Sequence, residues 1–183
     1  MRFVVYSLLL LVFLLYLGIR FVRVLIKMRK PVVFPVTAED WEAIRMQPKK
    51  PIGRLVVSDQ KTAVWIHSVF ILIFTALVLY ELFTTKYNTL FLFVFIPSLL
   101  NLPKLWNLFA VQEDGVLAGQ RFVPWDRMQS YTFIPIDIHH RFYGYSPELN
   151  EGYELMIQTK WSEVSCLVTT ETVKEKLAQL LDE

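Results

Sequence analysis

Hydrophobic positions follow two regimes along the chain. Up to about residue 103 they come in long runs, and residues 3–19, 62–80 and 87–103 contain no Asp, Glu, Lys or Arg. At 1.5 Å of rise per residue, each run is close to the length a membrane-spanning helix needs. Each is also apolar on all sides, and the remaining chain is too short to wrap three such helices in protein. Beyond the third run the period shortens to alternation. Residues 108–113 and 116–123 flank Asp114-Gly115, a dipeptide suited to a tight hairpin turn because both positions tolerate positive φ. Gly119-Gln120 permits a bend in the second arm, Pro124 ends the ladder, and residues 125–129 (WDRMQ) form a helical turn or bulge before a strand resumes over 130–136. Tyr153, Leu155 and Ile157 alternate with Glu154, Met156 and Gln158, and residues 163–170 return antiparallel to them. The pattern predicts four or five antiparallel strands. Val173, Leu177, Leu180 and Leu181 then form one stripe of a closing amphipathic helix.

Between the first two runs, Pro31 and Pro35 forbid a continuing helix. Thr37 followed by Asp40 makes a capping box and predicts a short helix over residues 39–47, with Trp41, Ile44 and Met46 as its apolar residues. Residues 55–57 read as a short isolated strand. The expected organisation is a first transmembrane helix at 1–27, a basic loop at 28–61, second and third transmembrane helices within 62–106, and a C-terminal domain over 107–183.

Composition and charge set the orientation. The chain is 54% hydrophobic with a mean hydropathy of +0.39, above the range of soluble domains. Arg20, Arg23, Lys27, Arg29, Lys30, Arg45, Lys49, Lys50, Arg54 and Lys61 crowd the first loop, whereas Arg2 and Lys86 stand alone on the other side. Positive charge stays inside, so the loop and the C-terminal domain are expected in the cytoplasm and the N-terminus outside. The first run has no small-x-small cleavage site before its basic flank, which predicts an uncleaved anchor. The single Cys166 suits a reducing compartment. Residues 1–110 carry 13 Lys and Arg against 5 Asp and Glu, a net of +8, while residues 111–183 carry 6 against 12, a net of −6. An acidic tail excludes nucleic acid as its partner. It also sets the tail against the basic loop, where docking would let residues 55–57 complete the sheet by strand addition.

A strand, then Gly115 and Val116, then Val123, Pro124, Trp125, Met128 and Tyr131, two more strands and a terminal helix resemble the bacterial pleckstrin-homology-like (PH-like) domains at the C-terminus of small multi-pass membrane proteins of unknown function. The likeness covers residues 107–183. It implies a partly open β-barrel closed by a helix, used for binding and membrane-associated regulation, with no catalytic residue to carry over. Phosphoinositide binding is not expected, because the first hairpin offers only Arg121 where several cations would be needed. Trp125 reads as a core anchor at the sheet edge.

The fold expected is thus membrane α+β: three transmembrane helices followed by a small antiparallel-sheet PH-like domain with a C-terminal amphipathic helix. Chemistry-bearing residues are sparse. Asp137, His139 and His140 lie close together, but neighbours on an extended segment face opposite ways and make a poor metal site. The same segment offers His139, His140, Arg141, Phe142, Tyr143 and Tyr145 as an interaction surface. Within the spans, His67, Ser98 and Asn101 are candidate intramembrane polar residues, with interhelical hydrogen bonding as the role expected of the last two. No Ser-His-Asp order, phosphate loop or CxxC is present, and no cofactor or metal is expected. These features predict a non-enzymatic binding or regulatory module acting at the cytoplasmic face, with the lipid bilayer and a protein as partners. The alternatives are a structural subunit of a larger complex, or an enzyme or transporter using His67 and Glu81. The orientation has a direct check: a reporter active only in the cytoplasm should work when fused after Glu183 and fail when inserted beside Lys86, and the reverse result would invert the topology.

Overall fold

The computed structural model describes residues 2–84 and 96–182. Its first element, α1 (Arg2–Lys27), and α3 (Lys61–Thr84) are two helices long and apolar enough to cross a membrane. Leu10, Leu14 and Leu17, spaced one turn apart on α1, pack against Phe74 and Val78 of α3 and against Leu102. Only 22% of each candidate span is buried in protein. Leu8, Leu9, Val12 and Leu15 on α1 and Leu72, Ile73 and Phe83 on α3 face outward. A soluble core helix would have these covered, so the pair is built for an apolar surround. The third expected span falls mostly outside the described residues. Its described end is α4 (Ile96–Asn101), followed by a 3-10 turn over Leu102–Leu105.

Beyond the helices lie two antiparallel sheets. The first has three strands in the order β2 (Phe109–Gln112), β3 (Gly115–Ala118), β4 (Arg121–Pro124). The predicted hairpin forms around Asp114-Gly115, where Gly115 has φ +147° and an added Cβ would sit 2.2 Å from the Val123 carbonyl oxygen. The anticipated bend at Gly119-Gln120 is a full reversal, with Gly119 at φ 55°, and it splits the second arm into β3 and β4. A 3-10 turn at Trp125–Arg127 and a register shift between Met128 and Ser130 lead into β5 (Met128–Pro135). The second sheet has the order β1 (Ile44–Arg45), β7 (Glu163–Val168), β6 (Tyr153–Thr159), β5, with β6 and β7 as its centre. The last helix, α6 (Glu171–Asp182), lays Val173, Leu177 and Leu181 into the core between the sheets. Trp125 is half-buried against this core and its indole donates to the Glu113 carbonyl at 2.9 Å, the edge anchor that was expected.

The loop belongs to the domain, through residues other than those predicted. Thr37 and Asp40 form the capping box at the start of α2 (Ala38–Ala43), which stops four residues short of the expected helix that was to reach Met46 and Gln47. The chain instead turns extended at β1 (Ile44–Arg45), because Ile44 and Arg45 pair with Val168 and Leu167 on the open edge of β7. Upstream, Val33 and Phe34 donate to the Val111 carbonyl and Phe34 accepts from the Val111 amide, covering the edge of β2. Phe34 and Pro35 are joined by a cis bond. With those edges taken, residues 55–57 add no strand. They form the bend that feeds α3, with Leu55 buried beneath Trp106 and Val56 and Val57 exposed.

Asp40 ties the loop to the last helix. Its carboxylate accepts from the amides of Thr37 and Val36 at 2.9 and 3.2 Å and from Lys176 of α6 at 2.9 Å. Burial alone would raise its pKa, but the Lys176 ammonium and the Thr37 and Val36 donors outweigh it and hold the group at about 2. A depressed carboxyl contributes stability above its unfolded value and loses it as pH falls through the folded one. Between pH of about 4 and about 2 this group should therefore account for about 2 kcal/mol of acid destabilisation. Unfolding of the full chain followed over that window should fall more steeply for the native protein than for Asp40→Asn, and parallel curves would remove Asp40 from this role.

Candidate functional site

Two places combine polar chemistry with burial. One is the 136–152 connection that leaves β5 and returns to β6. Ile136 donates to the Gly152 carbonyl at 2.9 Å and closes its base. Within it, the Asp137 carboxylate accepts from the His139 amide at 2.9 Å, and the His140 amide bonds the Asp137 carbonyl at 2.9 Å. Gly144, at φ 84°, donates to the Asn150 side chain at 2.8 Å. Ser146 and Pro147 then open the short α5 (Pro147–Asn150), which drops Leu149 onto Ile136, Leu167 and Phe142.

At the centre of this connection is Glu154, a carboxylate 2% exposed on β6. A buried carboxylate needs donors, and the connection supplies them. His140 Nε2 lies 3.0 Å from one oxygen and Arg141 holds the other. The Phe142 amide approaches His140 Nδ1 at 3.3 Å, so a ring protonated at Nε2 satisfies both contacts. The six candidate contact residues thus divide. His140 and Phe142 face inward, Phe142 lying between the Arg141 guanidinium and Tyr145. His139, Arg141, Tyr143 and Tyr145 are exposed, joined by Ile138. Among the described residues no three His, Cys, Asp or Glu side chains converge as metal ligands. Cys166 is buried on β7, and burial, then the nearby Glu154 charge, push its thiol up, away from the nucleophilic thiolate.

His67 marks the second place. It is fully buried on α3, in a joint formed by α1, α3, Trp106 and the β3–β4 turn. The Phe21 ring of α1 stacks on the imidazole at 5.2 Å. The Trp106 indole, which can only donate, reaches Nδ1 at 3.5 Å. The Gln120 amide nitrogen, also a donor, faces Nε2 at 2.9 Å; a neutral ring accepts at one nitrogen only, and the shorter contact makes Nε2 that acceptor. Arg20 of α1 donates to the Gln120 carbonyl at 3.3 Å. A few residues away, Gln60 and Asn107 bond each other across the same seam, Gln60 Nε2 meeting the Asn107 carbonyl at 3.1 Å, and Gln112 donates to the Lys27 carbonyl at the end of α1 at 2.7 Å. Asn101 donates to Pro97 of its own helix at 2.8 Å, so this bond is local and not the interhelical one expected of it. The side chains of Ser98 and Glu81 lie outside the described residues.

Charge closes the seam at the C-terminal end of α1. Lys27 and Lys30 both bind Asp114 at the hairpin tip, and Lys27 lies over the Phe122 ring at 3.3 Å. These two ammonium groups, Lys27 first, hold the Asp114 carboxyl below its ordinary range. Gln120, Trp106 and Glu154 were not singled out from sequence. The only hints were a polar residue inside a hairpin arm and a carboxylate in an apolar strand.

No family model matches the chain, no characterised protein matches its sequence, and no solved structure matches its fold.

The joint makes a quantitative expectation. Replacing Gln120 by leucine removes the amide donor from the buried His67 Nε2, and replacing His67 by leucine strands the Gln120 amide, each costing about 1–3 kcal/mol. The double variant should cost clearly less than the two single losses together, as coupled partners do. Thermal unfolding of the four proteins in detergent measures this, and strictly additive losses would show that the two side chains are independent.

Proposed function

We propose that the protein is a multi-pass, membrane-anchored binding or regulatory module without enzymatic activity. In this reading the N-terminus lies outside, a third span follows α3, and the acidic C-terminal domain is PH-like and cytoplasmic. Sheets of three and four strands closed by a terminal helix support the PH-like reading. The observation that carries the functional reading is the connection over Glu154. It is rigid, being held by a buried carboxylate and its own small core, yet it presents Ile138, Tyr143 and Tyr145 at 69, 42 and 54% exposure. Exposed aromatics on a pre-ordered scaffold suit protein recognition, since little entropy is lost when they dock.

A transporter or enzyme using His67 is the weaker reading. That ring is fully buried and enclosed by Phe21, Trp106 and Gln120, which favours a structural joint over an exchangeable proton site. A photo-reactive side chain at Tyr143 of the full chain in native membranes should yield a discrete adduct that disappears when Ile138 and Tyr145 are changed to serine. The same group at exposed Thr132 should yield none. Absence of the Tyr143 adduct, or its indifference to the serine changes, would overturn this site as the partner surface.

A further inference from the structure

The strands of the first sheet run alongside the end of α1. The β2–β3 turn meets Lys27 and Lys30 through Asp114, and the β3–β4 turn meets Arg20 and His67 through Gln120. Arg20 precedes Lys27 by about two turns of helix, roughly 10 Å nearer the centre of the span. The β3–β4 turn is therefore the membrane-side end of the domain, level with the first cation after the charge-free run of α1.

Arg121, the first residue of β4 at that level, reaches across and donates to the Glu163 carbonyl at 2.8 Å, at the start of β7. This ties down the β6–β7 turn. The turn is tightly made: the Thr159 amide and hydroxyl both donate to the Ser162 carbonyl, at 2.8 and 2.7 Å, and the Ser162 amide donates back to the hydroxyl at 3.1 Å. At its tip Trp161 is 87% exposed, the most exposed large hydrophobic residue among those described, with the Lys160 ammonium 5.3 Å from its ring.

We propose that Lys160 and Trp161 form a membrane-interface anchor, the indole seated in the headgroup layer of the bilayer that α1 and α3 cross and the ammonium against its phosphates. The inference rests on the spanning reading of those helices. A single exposed hydrophobic residue is ordinary on a protein surface. Here three further facts bear on it: the turn is rigid, it is tied to the membrane-side end of the domain, and it pairs an amphipathic indole with a cation. Trp and Lys are the residues that settle at the lipid interface, the ring among carbonyls and glycerol and the charge in the phosphate layer. The anchor also holds an acidic domain on a surface that its net charge would not seek. With α1 and α3 on one side and this turn on the other, the domain has two lines of support and cannot rock about the helix pair.

The test uses the full chain in phosphatidylcholine nanodiscs, with Trp161→Phe and Trp65→Phe as difference partners. Trp65, near the start of α3 and 67% exposed, reports the spanning helix itself. The native-minus-Trp161→Phe emission should be quenched by lipids brominated near the headgroup, less by lipids brominated near the chain ends, and should be shielded from iodide several-fold relative to a free indole. If the Trp65 component is quenched by brominated lipid while the Trp161 component responds only to iodide, the anchor is wrong and the spanning helices stand. If neither component responds to brominated lipid, the spanning reading fails and the anchor falls with it.

Discussion

The whole arrangement depends on a polar seam that no water reaches. Two apolar helices and a sheet meet along a surface that carries His67, Gln120, Trp106, Gln60, Asn107 and Gln112, all buried. A buried amide or imidazole left unpaired costs several times what its hydrogen bond contributes when made. Asn107 Oδ1 and Gln112 Oε1 have no partner among the described residues, but the amide nitrogens of Gln60, Asn107, Gln112 and Gln120 are all paired in this placement of helices and sheet, and other placements would lose those bonds. Apolar contacts in the same region, such as Val24 and Met28 on Leu117 and Ala110, are tolerant of small slides. The hydrogen bonds from Gln120 to His67 and from Gln112 to Lys27 are not, so the hydrophobic term supplies cohesion and the polar term supplies register.

That register explains why the loop is folded into the domain. Residues 28–60 must travel from the end of α1 to the start of α3, and on the way Val33 and Phe34 cover one sheet edge while Ile44 and Arg45 cover another. An exposed edge strand invites pairing with other chains, and here one edge of each sheet, at β2 and at β7, is used internally. Charge assists at three points, Lys27 and Lys30 on Asp114, Arg45 on Glu148, and Lys176 on Asp40. Exposed ion pairs are each weak. The basic loop and acidic tail are nevertheless complementary in sign, and main-chain pairing turns that loose attraction into a fixed contact.

What could be seen in the sequence was what is locally encoded. The hairpin at Asp114-Gly115, whose turn falls one residue earlier on Glu113 and Asp114, the Thr37 and Asp40 capping box, the break at Pro124 and the Val173, Leu177 and Leu181 stripe each follow from residues within a turn or two of one another, and each is present. The errors come from long-range competition. Residues 39–47 have helical spacing, yet the open edge of β7 draws Ile44 and Arg45 out of the helix. Residues 55–57 have strand composition, but the chain must turn there into α3 and the edges they would have joined are occupied. Of the candidate site, the exposure of Tyr143 and Tyr145 was legible. The inward turn of His140 was not, because it depends on Glu154 being buried beneath the connection.

Glu154 and His67 pose the same question at opposite ends of the domain, and the answers differ in kind. His67 sits among neutral partners, where the Gln120 amide donates to a ring nitrogen. Glu154 is a charge, and a lone buried carboxylate would neutralise itself or unfold its surroundings. It is paired with Arg141, whose side chain is 61% exposed, so its partner is a group that still contacts water. The neutral seam is thus suited to permanence. The connection over Glu154 is held at one side by a side chain that solvent, or a docking surface, can reach. On the proposed reading, a partner that engages Arg141 would act directly on the ion pair beside Tyr143 and Tyr145, linking binding to the order of that surface at one guanidinium.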